Sequence, residues 1–323
     1  MIRPYFVYEI TPRCTSACKY CYNVWKLPGD YPKGELSLSE IERLFDKVLS
    51  EITPNGITLA GGEPLLYPEI LKVVSLLSNK GIKVAVATNG ILLKRELVQS
   101  LAANGVNYFE ISMNSIKRET YNYLSQNSRL DEVKNAILEV KKQRAKLSVS
   151  IIITKANLAD IEKTIDLCFS FSVDVIALNR FVPGGNGLNY LPQLQIIKAE
   201  LEKVLSMAEE KAKDYNMPIN ITIPVEPCII EHKRYPHLNF GTCVCGREKW
   251  VIDPLGNLRT CEQNPEILGS LFDNTFYELS NLEAVNLFQR NNLKIDCDDC
   301  SQFRKCGGGC RFNRDGCNSS IIR

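Results

Sequence analysis

The sequence predicts a parallel α/β protein followed by a cysteine-rich C-terminal region. Six short apolar runs alternate with amphipathic stretches or crossovers over residues 5–180, which indicates a parallel sheet covered by helices. Nine of the 13 cysteines lie at or beyond residue 228, in a segment rich in turn residues and short of long apolar runs. Six β/α units fit an open doubly wound sheet or a partial barrel, and periodicity does not decide between them.

The alternating elements follow one another in a regular order. Strands are predicted where β-branched and aromatic residues cluster, at 5–11, 56–60, 83–89, 108–113, 147–154 and 174–179. Amphipathic helices are predicted between and after them, at 37–52, 67–81, 92–105, 131–145 and 158–172. Ser37 and Glu40 have the spacing of a capping box at the start of the first helix. A helix at 194–215 and a strand at 219–225 are predicted to follow.

The stretch "FVPGGNGLNYLPQ" at 181–193 is the best candidate for a domain boundary, because its glycines and prolines break the alternation. We therefore divide the chain into a core domain (1–190), a bridging helix and strand (191–226) and a C-terminal domain (227–323). The C-terminal domain has too little predicted core to hold itself and is expected to need a bound metal.

Charge and composition exclude several classes of protein. The net charge is +2 and the basic residues are dispersed, so nucleic acid is not an expected partner. No stretch approaches the ~20 apolar residues of a membrane span, and the N-terminus lacks the features of a signal peptide. We expect a cytoplasmic protein with no membrane partner. Thirteen cysteines in that reducing compartment indicate metal binding rather than disulfides.

Three cysteines lie in the stretch "CTSACKYC" at 14–21, directly after the first predicted strand. Three thiolates from one loop bind three irons of a cubane cluster and leave the fourth iron open to a small molecule. Zinc sites use cysteine pairs that recur with a partner pair or histidines, and the chain has only two histidines. By contrast, Cys168 lies in an apolar helical pattern and is interpreted as a small buried side chain.

Other unusual residues follow the remaining strands. "GGEP" (61–64), "TNG" (88–90), "SMN" (112–114) and "NRFVPGGNG" (179–187) come after the second, third, fourth and sixth strands. Ligands collect at the carboxyl ends of parallel strands, in doubly wound sheets and in barrels alike. The sequence therefore predicts one functional rim that is made of these loops and the cysteine triplet.

The spacing C-x3-C-x-aromatic-C after the first strand, together with "GGEP" after the second, resembles the radical S-adenosylmethionine (radical SAM) enzymes. The resemblance implies a partial (β/α)6 TIM-like barrel over residues 1–190, with a 4Fe–4S cluster bound by Cys14, Cys18 and Cys21. It further implies contacts to SAM from residues at the rim. These are Tyr20 to the adenine, Gly61, Gly62 and Glu63 to the amino group, and Ser112 near the ribose, with Asn114 standing where the family often has Asp. Arg180 either faces the cofactor or is an ordinary solvated charge at the rim.

A second cysteine constellation lies near the C-terminus. Twelve residues separate Cys243 from Gly256, and four more precede Cys261; then come Cys297-x2-Cys300-x5-Cys306-x3-Cys310 and Cys317. From the ligands alone, two zinc sites with four cysteine ligands each are the alternative. The pattern resembles the SPASM extension of radical SAM enzymes, a cysteine-rich domain with two auxiliary 4Fe–4S clusters. The resemblance assigns Cys243, Cys261 and Cys310 to the first cluster, with Cys245, Cys228 or the substrate completing it, and Cys297, Cys300, Cys306 and Cys317 to the second.

The resemblance implies that the protein reductively cleaves SAM to a 5′-deoxyadenosyl radical, which takes hydrogen from a peptide or protein substrate. Crosslinking, epimerisation and oxidation all start this way. Glu262 is the candidate base for such a reaction, and the alternative is an ordinary surface glutamate. One implied partner is a low-potential electron donor, flavodoxin or ferredoxin. Because only 13 residues precede Cys14, a leader would be bound by a separate leader-recognition protein or by the enzyme's own surface, and the alternative is a substrate without a leader. The alternatives are a porphyrin or haem-precursor substrate and a non-enzymatic iron–sulfur carrier.

Overall fold

A computed structural model describes residues 3–26, 31, 33–143, 145–290, 293, 297 and 299–312. The strands are β1 (Tyr5–Thr11), β2 (Gly56–Gly61), β3 (Val84–Thr88), β4 (Val106–Ser112), β5 (Lys146–Ile153), β6 (Val175–Arg180), β7 (Ile219–Ile221), β8 (Leu238–Phe240), β9 (Lys249–Ile252), β10 (Asn257–Arg259) and β11 (Gly269–Ser270). The helices are α1 (Leu38–Glu51), α2 (Ile70–Asn79), α3 (Arg95–Ala103), α4 (Arg118–Ser125), α5 (Leu130–Lys142), α6 (Ile161–Ser170), α7 (Leu191–Leu194), α8 (Lys198–Tyr215), α9 (Phe276–Ser280), α10 (Glu283–Arg290) and α11 (Phe303–Cys306). None of these described helices is both long and apolar enough to cross a membrane.

The first six strands lie side by side in chain order, and every neighbouring pair is parallel. All six predicted strands are confirmed to within two residues at either end, because each is a run of residues that the sheet buries. Their carboxyl ends consequently meet at one edge, where the predicted rim loops lie. Helix α4 was not predicted, because it is only 8 residues long and mostly polar.

The sheet continues beyond these six strands at both edges. Strands β7 and β8 extend it in parallel from β6. At the other edge β9 pairs in parallel with β1, and β10 and β11 follow in antiparallel order. The C-terminal region is therefore hydrogen-bonded to the first strand of the chain, while the division into three domains remains a prediction.

Helix α1 begins where the sequence places its capping box. The Glu40 carboxylate accepts a hydrogen bond from the Ser37 backbone N–H at 2.8 Å, and the Ser37 hydroxyl accepts one from the Glu40 N–H. Predicted helix 194–215 is interrupted at Gln195–Ile197, which are extended. Predicted strand 219–225 ends at Ile221, because the Asn179 side chain takes up the Ile223 N–H at 2.7 Å.

One hydrophobic cluster joins the barrel strands to the C-terminal region. The ring of Phe276 packs edge-on against Phe6 of β1 and against Trp250 of β9, at centroid distances of 5.6 and 5.4 Å. Strands and helices from β9 to α10 thus bury apolar side chains in the core that they share with the barrel, while the expected need of the C-terminal domain for a metal stays a prediction. Cys168 is completely buried in this cluster, as predicted, and burial raises the pKa of its thiol to about 12.

Candidate functional site

The cysteine triplet lies in the loop after β1 and is hydrogen-bonded to two neighbouring loops and to helix α4. The Asn186 side-chain amide donates to the Cys18 carbonyl at 2.9 Å, and the Lys19 N–H donates to the Leu124 carbonyl at 2.9 Å. The Asn89 amide donates to the Thr15 hydroxyl at 2.8 Å. Cys14, Cys18 and Cys21 are all partly buried. The chain therefore presents three thiols on one loop whose backbone is held from three sides.

The glycine-rich loop after β6 packs directly against the triplet. Gly185 has a φ of +46°, and a Cβ there would lie 2.5 Å from the Asn23 carbonyl oxygen. Gly187 donates its N–H to the Cys21 carbonyl at 3.1 Å. At Gly185 only glycine meets both demands, a left-handed backbone and close backbone contact. The stretch that the sequence marks as a boundary also holds the triplet loop.

The "GGEP" loop after β2 is paired with the chain that leads into the triplet. The Gly62 N–H donates to the Thr11 carbonyl and the Glu63 N–H to the Arg13 carbonyl, both at 2.7 Å. A Cβ on Gly62 would overlap the Arg13 carbonyl, and one on Gly61 would overlap that of Thr11. In this structure the glycines are required by the chain's own backbone, and their contact with a ligand remains a prediction.

Glu63 is completely buried beside the triplet. Its carboxylate accepts hydrogen bonds from the Thr88 hydroxyl at 2.7 Å, the Asn89 N–H at 2.8 Å and the Leu65 N–H at 3.3 Å. Burial raises the pKa of Glu63 to about 7, although these three donors oppose the shift. The hydrogen bonds to Glu63 hold the backbone at the end of β3 in place. Asn89, which directly follows β3, contacts the triplet loop. Asn89 was not singled out as a site residue, although "TNG" was placed at this rim.

The remaining predicted cofactor contacts lie around the same edge. Tyr20 packs on a small apolar cluster that contains Leu124 and Phe181. Ser112 ends β4 opposite Ser150 of β5. Asn114 is 3% exposed, and its side-chain oxygen accepts a hydrogen bond from the Ile152 N–H at 2.6 Å. This contact ties the ends of β4 and β5 together, so the side chain has a structural role here.

Arg180 forms a buried ion pair. Its Nη2 lies 2.9 and 3.1 Å from the two carboxylate oxygens of Glu226 and 2.5 Å from the Pro224 carbonyl oxygen. With 2% of the residue exposed, the interpretation of Arg180 as a solvated rim charge is wrong. Contact with the cofactor remains a prediction. Nε and Nη1 of Arg180 are buried and have no hydrogen-bond partner among the described residues.

Four C-terminal cysteines converge on one place. The sulfur of Cys245 interacts with the sulfurs of both Cys243 and Cys261. The thiols of Cys243 and Cys310 also interact, and the Arg180 guanidinium is close enough to act on Cys310. The structure thereby brings Cys245 to the three cysteines predicted for the first auxiliary cluster. Cys228, the other predicted candidate, is disulfide-bonded, so the expectation of metal binding rather than disulfides is wrong for this cysteine.

The second predicted ligand set is described only in part. Cys297 and Cys306 are close enough for their thiols to interact, and the Cys300 N–H donates to the Cys297 carbonyl at 3.3 Å. Cys317 lies outside the described residues. The structure therefore groups three of these four cysteines within one short segment.

Glu262 directly follows Cys261 and is paired with a lysine. One of its carboxylate oxygens is 2.8 Å from the Lys249 ammonium, and the other is 3.7 Å from the Cys261 sulfur. The carboxylate also acts electrostatically on Tyr22, which follows Cys21. Burial acts to raise the pKa of Glu262, but the Lys249 ammonium, a backbone hydrogen bond and the Arg259 guanidinium together hold the pKa below its usual range. Glu262 is thus a paired carboxylate beside Cys261 that acts electrostatically on the residue after the triplet.

The charged residues within otherwise apolar strands were not predicted to belong to the site. Glu9 of β1 is buried in an ion pair with Arg259 of β10. On β4, burial raises the pKa of Glu110, while the Lys249 ammonium opposes that rise. An acid within "YFVYEIT" or "YFEISM" is itself a signal, because a lone carboxylate is costly to bury without a partner. These residues place charges on the interior side of the sheet, below the cysteine loops.

Comparison with known proteins identifies the fold and a family of similar sequences. Residues 8–168 match the family model for the Radical SAM superfamily. The AdoMet-dependent heme synthase of Methanosarcina barkeri is 25% identical, over 94% of this chain and 90% of the relative. The PqqA peptide cyclase of Bradyrhizobium diazoefficiens is 26% identical, over 94% of this chain and 80% of the relative.

The crystal structure of Streptococcus suis SuiB bound to the precursor peptide SuiA superposes with a TM-score of 0.77 at 16% identity. The superposition covers 97% of this chain and 72% of SuiB. At that identity the likeness concerns the fold alone, and it confirms the predicted fold class.

Proposed function

Because the chain is a radical SAM enzyme, we propose that it abstracts hydrogen from a peptide or protein substrate and thereby begins a crosslink, an epimerisation or an oxidation. The observation that carries this proposal is the position of the first group of C-terminal cysteines, which are Cys243, Cys245, Cys261 and Cys310. The thiol of Cys245 interacts with those of Cys243 and Cys261, and the carboxylate of Glu262, which follows Cys261, acts electrostatically on Tyr22, which follows Cys21 of the triplet. A substrate at the rim would lie between two metal centres and next to a carboxylate.

The donor set of the triplet fits the cofactors of the family, a 4Fe–4S cluster and SAM. Cys14, Cys18 and Cys21 would hold the cluster, since their sulfurs come from one loop held by neighbouring loops. When bound, this pair of cofactors supplies a 5′-deoxyadenosyl radical from the open iron site. The protein's own part is to position SAM and to exclude water. We assign that part to Tyr20, Gly61, Gly62, Glu63, Ser112, Asn114 and Arg180.

The C-terminal cysteines would hold two auxiliary 4Fe–4S clusters. The contacts of Cys245 with Cys243 and Cys261 support Cys245 as the fourth ligand of the first cluster, in place of Cys228. The second cluster would use Cys297, Cys300, Cys306 and Cys317. Cysteine-bound clusters of this type carry electrons over a wide range of potentials. These clusters would therefore accept the electron that the substrate radical loses when it is oxidised.

Glu262 is proposed to accept the proton that such an oxidation releases. The Lys249 ammonium at 2.8 Å keeps the carboxylate ionised and holds its orientation. A low pKa makes Glu262 a weak base in the resting protein. A substrate that displaces Lys249 would raise its basicity, so the ion pair is part of this proposal.

The relatives support a peptide substrate. One curated relative is named a peptide cyclase, and SuiB binds a precursor peptide in a structure that superposes over nearly this whole chain. The remaining partners that we propose are a low-potential donor, flavodoxin or ferredoxin, and a separate leader-recognition protein. Because reduced thiols are needed for cluster assembly, we place the protein in the cytoplasm.

A porphyrin or haem-precursor substrate is the second candidate function. It is favoured by the haem synthase of Methanosarcina barkeri, which aligns over 94% of this chain. That relative is about as similar as the peptide cyclase, so identity does not separate the two. The chemistry also begins alike, with hydrogen abstraction from an unactivated carbon.

Deuterium transfer tests the proposal. The anaerobically reconstituted protein is given dithionite, SAM and either a deuterated peptide from a small open reading frame beside its gene or deuterated iron coproporphyrin III. A peptide-modifying enzyme moves deuterium from the peptide into 5′-deoxyadenosine and changes the peptide's mass. Transfer from the porphyrin alone would establish the second candidate. SAM cleavage with transfer from neither would refute both substrate classes, and no SAM cleavage would favour an iron–sulfur carrier.

A further inference from the structure

A large basic cavity opens beside the first group of C-terminal cysteines. Its volume is about 940 Å³, and Cys243 and Cys245 form part of its wall. Loop 242–248, the end of helix α10 and helix α11 enclose it. Five cationic residues line the cavity, and Glu248 is the only acidic residue among its described lining residues; the cations are Arg247, Arg290, Arg304, Lys305 and Arg311. This is a concentration of charge in a chain whose net charge is only +2.

Most of these cations are not neutralised by the protein. Arg311 is 6% exposed, and its guanidinium donates to the backbone carbonyls of Gly307 and Gly309, so it is used to hold the loop. The other four are exposed. Within the described part of the chain, none of those four forms an ion pair with a carboxylate. Arg247 uses one N–H group on the Cys243 carbonyl, and a guanidinium has five, so all four cations can still bind an anionic ligand.

The cavity is shaped for more than a small inorganic anion. At about 940 Å³ it is at the upper end of the range for small-molecule pockets, ~300–1,000 Å³. Val244, Leu293 and Phe303 add apolar surface between the cations. Guanidinium groups bind carboxylates in a planar, two-point geometry that ammonium groups do not offer. A ligand with an apolar body and several carboxylates matches both features.

We propose that this cavity binds the carboxylates of the substrate and holds its anionic part beside the first group of C-terminal cysteines. In a peptide these carboxylates are Asp and Glu side chains or the C-terminus. The inference rests on the proposed function, because it names the substrate chemistry of that same enzyme. It adds a binding site walled by Cys243 and Cys245, apart from the predicted SAM loops.

Two other roles for the same charges give different experimental results. The cations would offset the negative charge of a thiolate-bound cluster, in which case their removal shifts the cluster's potential and leaves ligand binding unchanged. Alternatively, they would dock an acidic electron carrier. A concave cavity with apolar surface between its charges favours a ligand that enters it over a protein that rests on its rim.

The test compares two double variants of the cluster-loaded protein. Arg290→Gln with Arg304→Gln removes two charges from the cavity. Lys83→Gln with Lys163→Gln removes two exposed charges that do not line it. The first probe is a rhodamine-labelled peptide of alternating Glu and Leu, measured by fluorescence anisotropy, with the Gln–Leu peptide as the neutral control. The second probe is coproporphyrin III, with its tetramethyl ester as the control.

The proposal predicts that the wild type binds the acidic peptide and that added salt weakens binding. The cavity variant should bind at least about tenfold more weakly, since each charge-assisted contact contributes substantially. The lysine variant should bind as the wild type does. Charge-dependent binding of coproporphyrin III without the peptide would keep the carboxylate site and assign it to a tetrapyrrole.

Equal affinity of wild type and cavity variant for both probes would overturn the proposal. A change confined to the potential or the EPR spectrum of a cluster, or to the rate of reduction by flavodoxin, would overturn it as well and assign the charges to those roles. Formation of 5′-deoxyadenosine with dithionite is measured in parallel. If that activity is present without charge-dependent binding, only this inference fails; if binding is present without the activity, only the proposed function fails.

Discussion

The guanidinium of Arg180 lies 2.9 Å from the carboxylate of Glu226, and the two side chains are 3% and 2% exposed. Arg180 ends β6 at the functional rim, while Glu226 belongs to the segment that leads into the C-terminal region. The Glu226 carboxylate in turn packs against the Cα of Gly309, where any Cβ would overlap it. Since Cys310 follows directly, this ion pair connects the rim to a proposed ligand of the first auxiliary cluster.

Glu226→Gln should destabilise the protein strongly. The substitution keeps the shape of the side chain but leaves the buried guanidinium of Arg180 without a countercharge, which typically costs about 3–5 kcal/mol. Chemical denaturation of the cluster-loaded protein measures the change. The matched control is Lys72→Gln, which breaks the exposed Lys72–Glu69 pair and should change stability little. Equal, small effects of the two substitutions would show that Arg180 is solvated.

Gly185→Ala should reduce the iron bound by the triplet. A methyl group there meets the backbone of the triplet loop, at 2.5 Å from the Asn23 carbonyl oxygen. Gly81→Ala is the control, because Gly81 has a φ of +77° but nothing within 4 Å of its added Cβ. Both variants should lose ~1–2 kcal/mol from the left-handed backbone. Only Gly185→Ala should lose iron, as measured after anaerobic reconstitution; equal iron in both would mean that the 184–187 loop does not hold the triplet.

Glu63 should make the SAM-free protein less stable as the pH rises toward neutrality. Its pKa is raised to about 7 in the folded state from an ordinary value of 4.5, so the folded protein binds more protons than the unfolded chain between these values. The free energy of unfolding therefore falls with rising pH in that window. Relative to Glu63→Gln, the wild type should lose roughly 2 kcal/mol between pH 5.5 and pH 8. If the free energy of unfolding changes with pH in the same way in both proteins, the pKa of Glu63 is not raised in the folded state.

The strands and the rim loops could be predicted from local patterns. Each of β1 to β6 is a run of apolar residues, and the loops with unusual composition follow their carboxyl ends, where parallel sheets place their ligands. The cysteines were found for the same reason, since their spacing is a short-range property. The start of helix α1 was predicted because Ser37 and Glu40 are only three residues apart.

The ion pairs of the site could not be predicted, because their partners are distant in sequence. Arg180 and Glu226 are 46 residues apart, and Glu9 and Arg259 are 250 apart. No local periodicity links such residues, so the charge of Arg180 was interpreted without its partner. The packing of Phe276 on Phe6 was missed for the same reason, and with it the core of the C-terminal region.

A Cys300→Ala, Cys306→Ala double variant should still cleave SAM but should not form product. These two cysteines lie in the segment that follows α10, away from the triplet loop. With dithionite as the donor, 5′-deoxyadenosine should form at about the wild-type rate, while modified peptide should be absent because the electron from the substrate radical has no acceptor. Circular dichroism checks folding first, since a cysteine-rich segment can lose its structure with its metal. Full product formation by a folded variant would reduce the second cluster to a structural element.

The central claim is that Cys14, Cys18 and Cys21 alone hold the cluster that cleaves SAM, separately from the C-terminal cysteines. The most direct measurement is iron content together with 5′-deoxyadenosine formation, for the wild type and for the variant with all three residues changed to alanine. Three four-iron clusters predict about 12 irons in the wild type and about 8 in the variant, with 5′-deoxyadenosine formed only by the wild type. A wild type that saturates near 4 irons and carries zinc, or a triple variant that still cleaves SAM, would contradict the account.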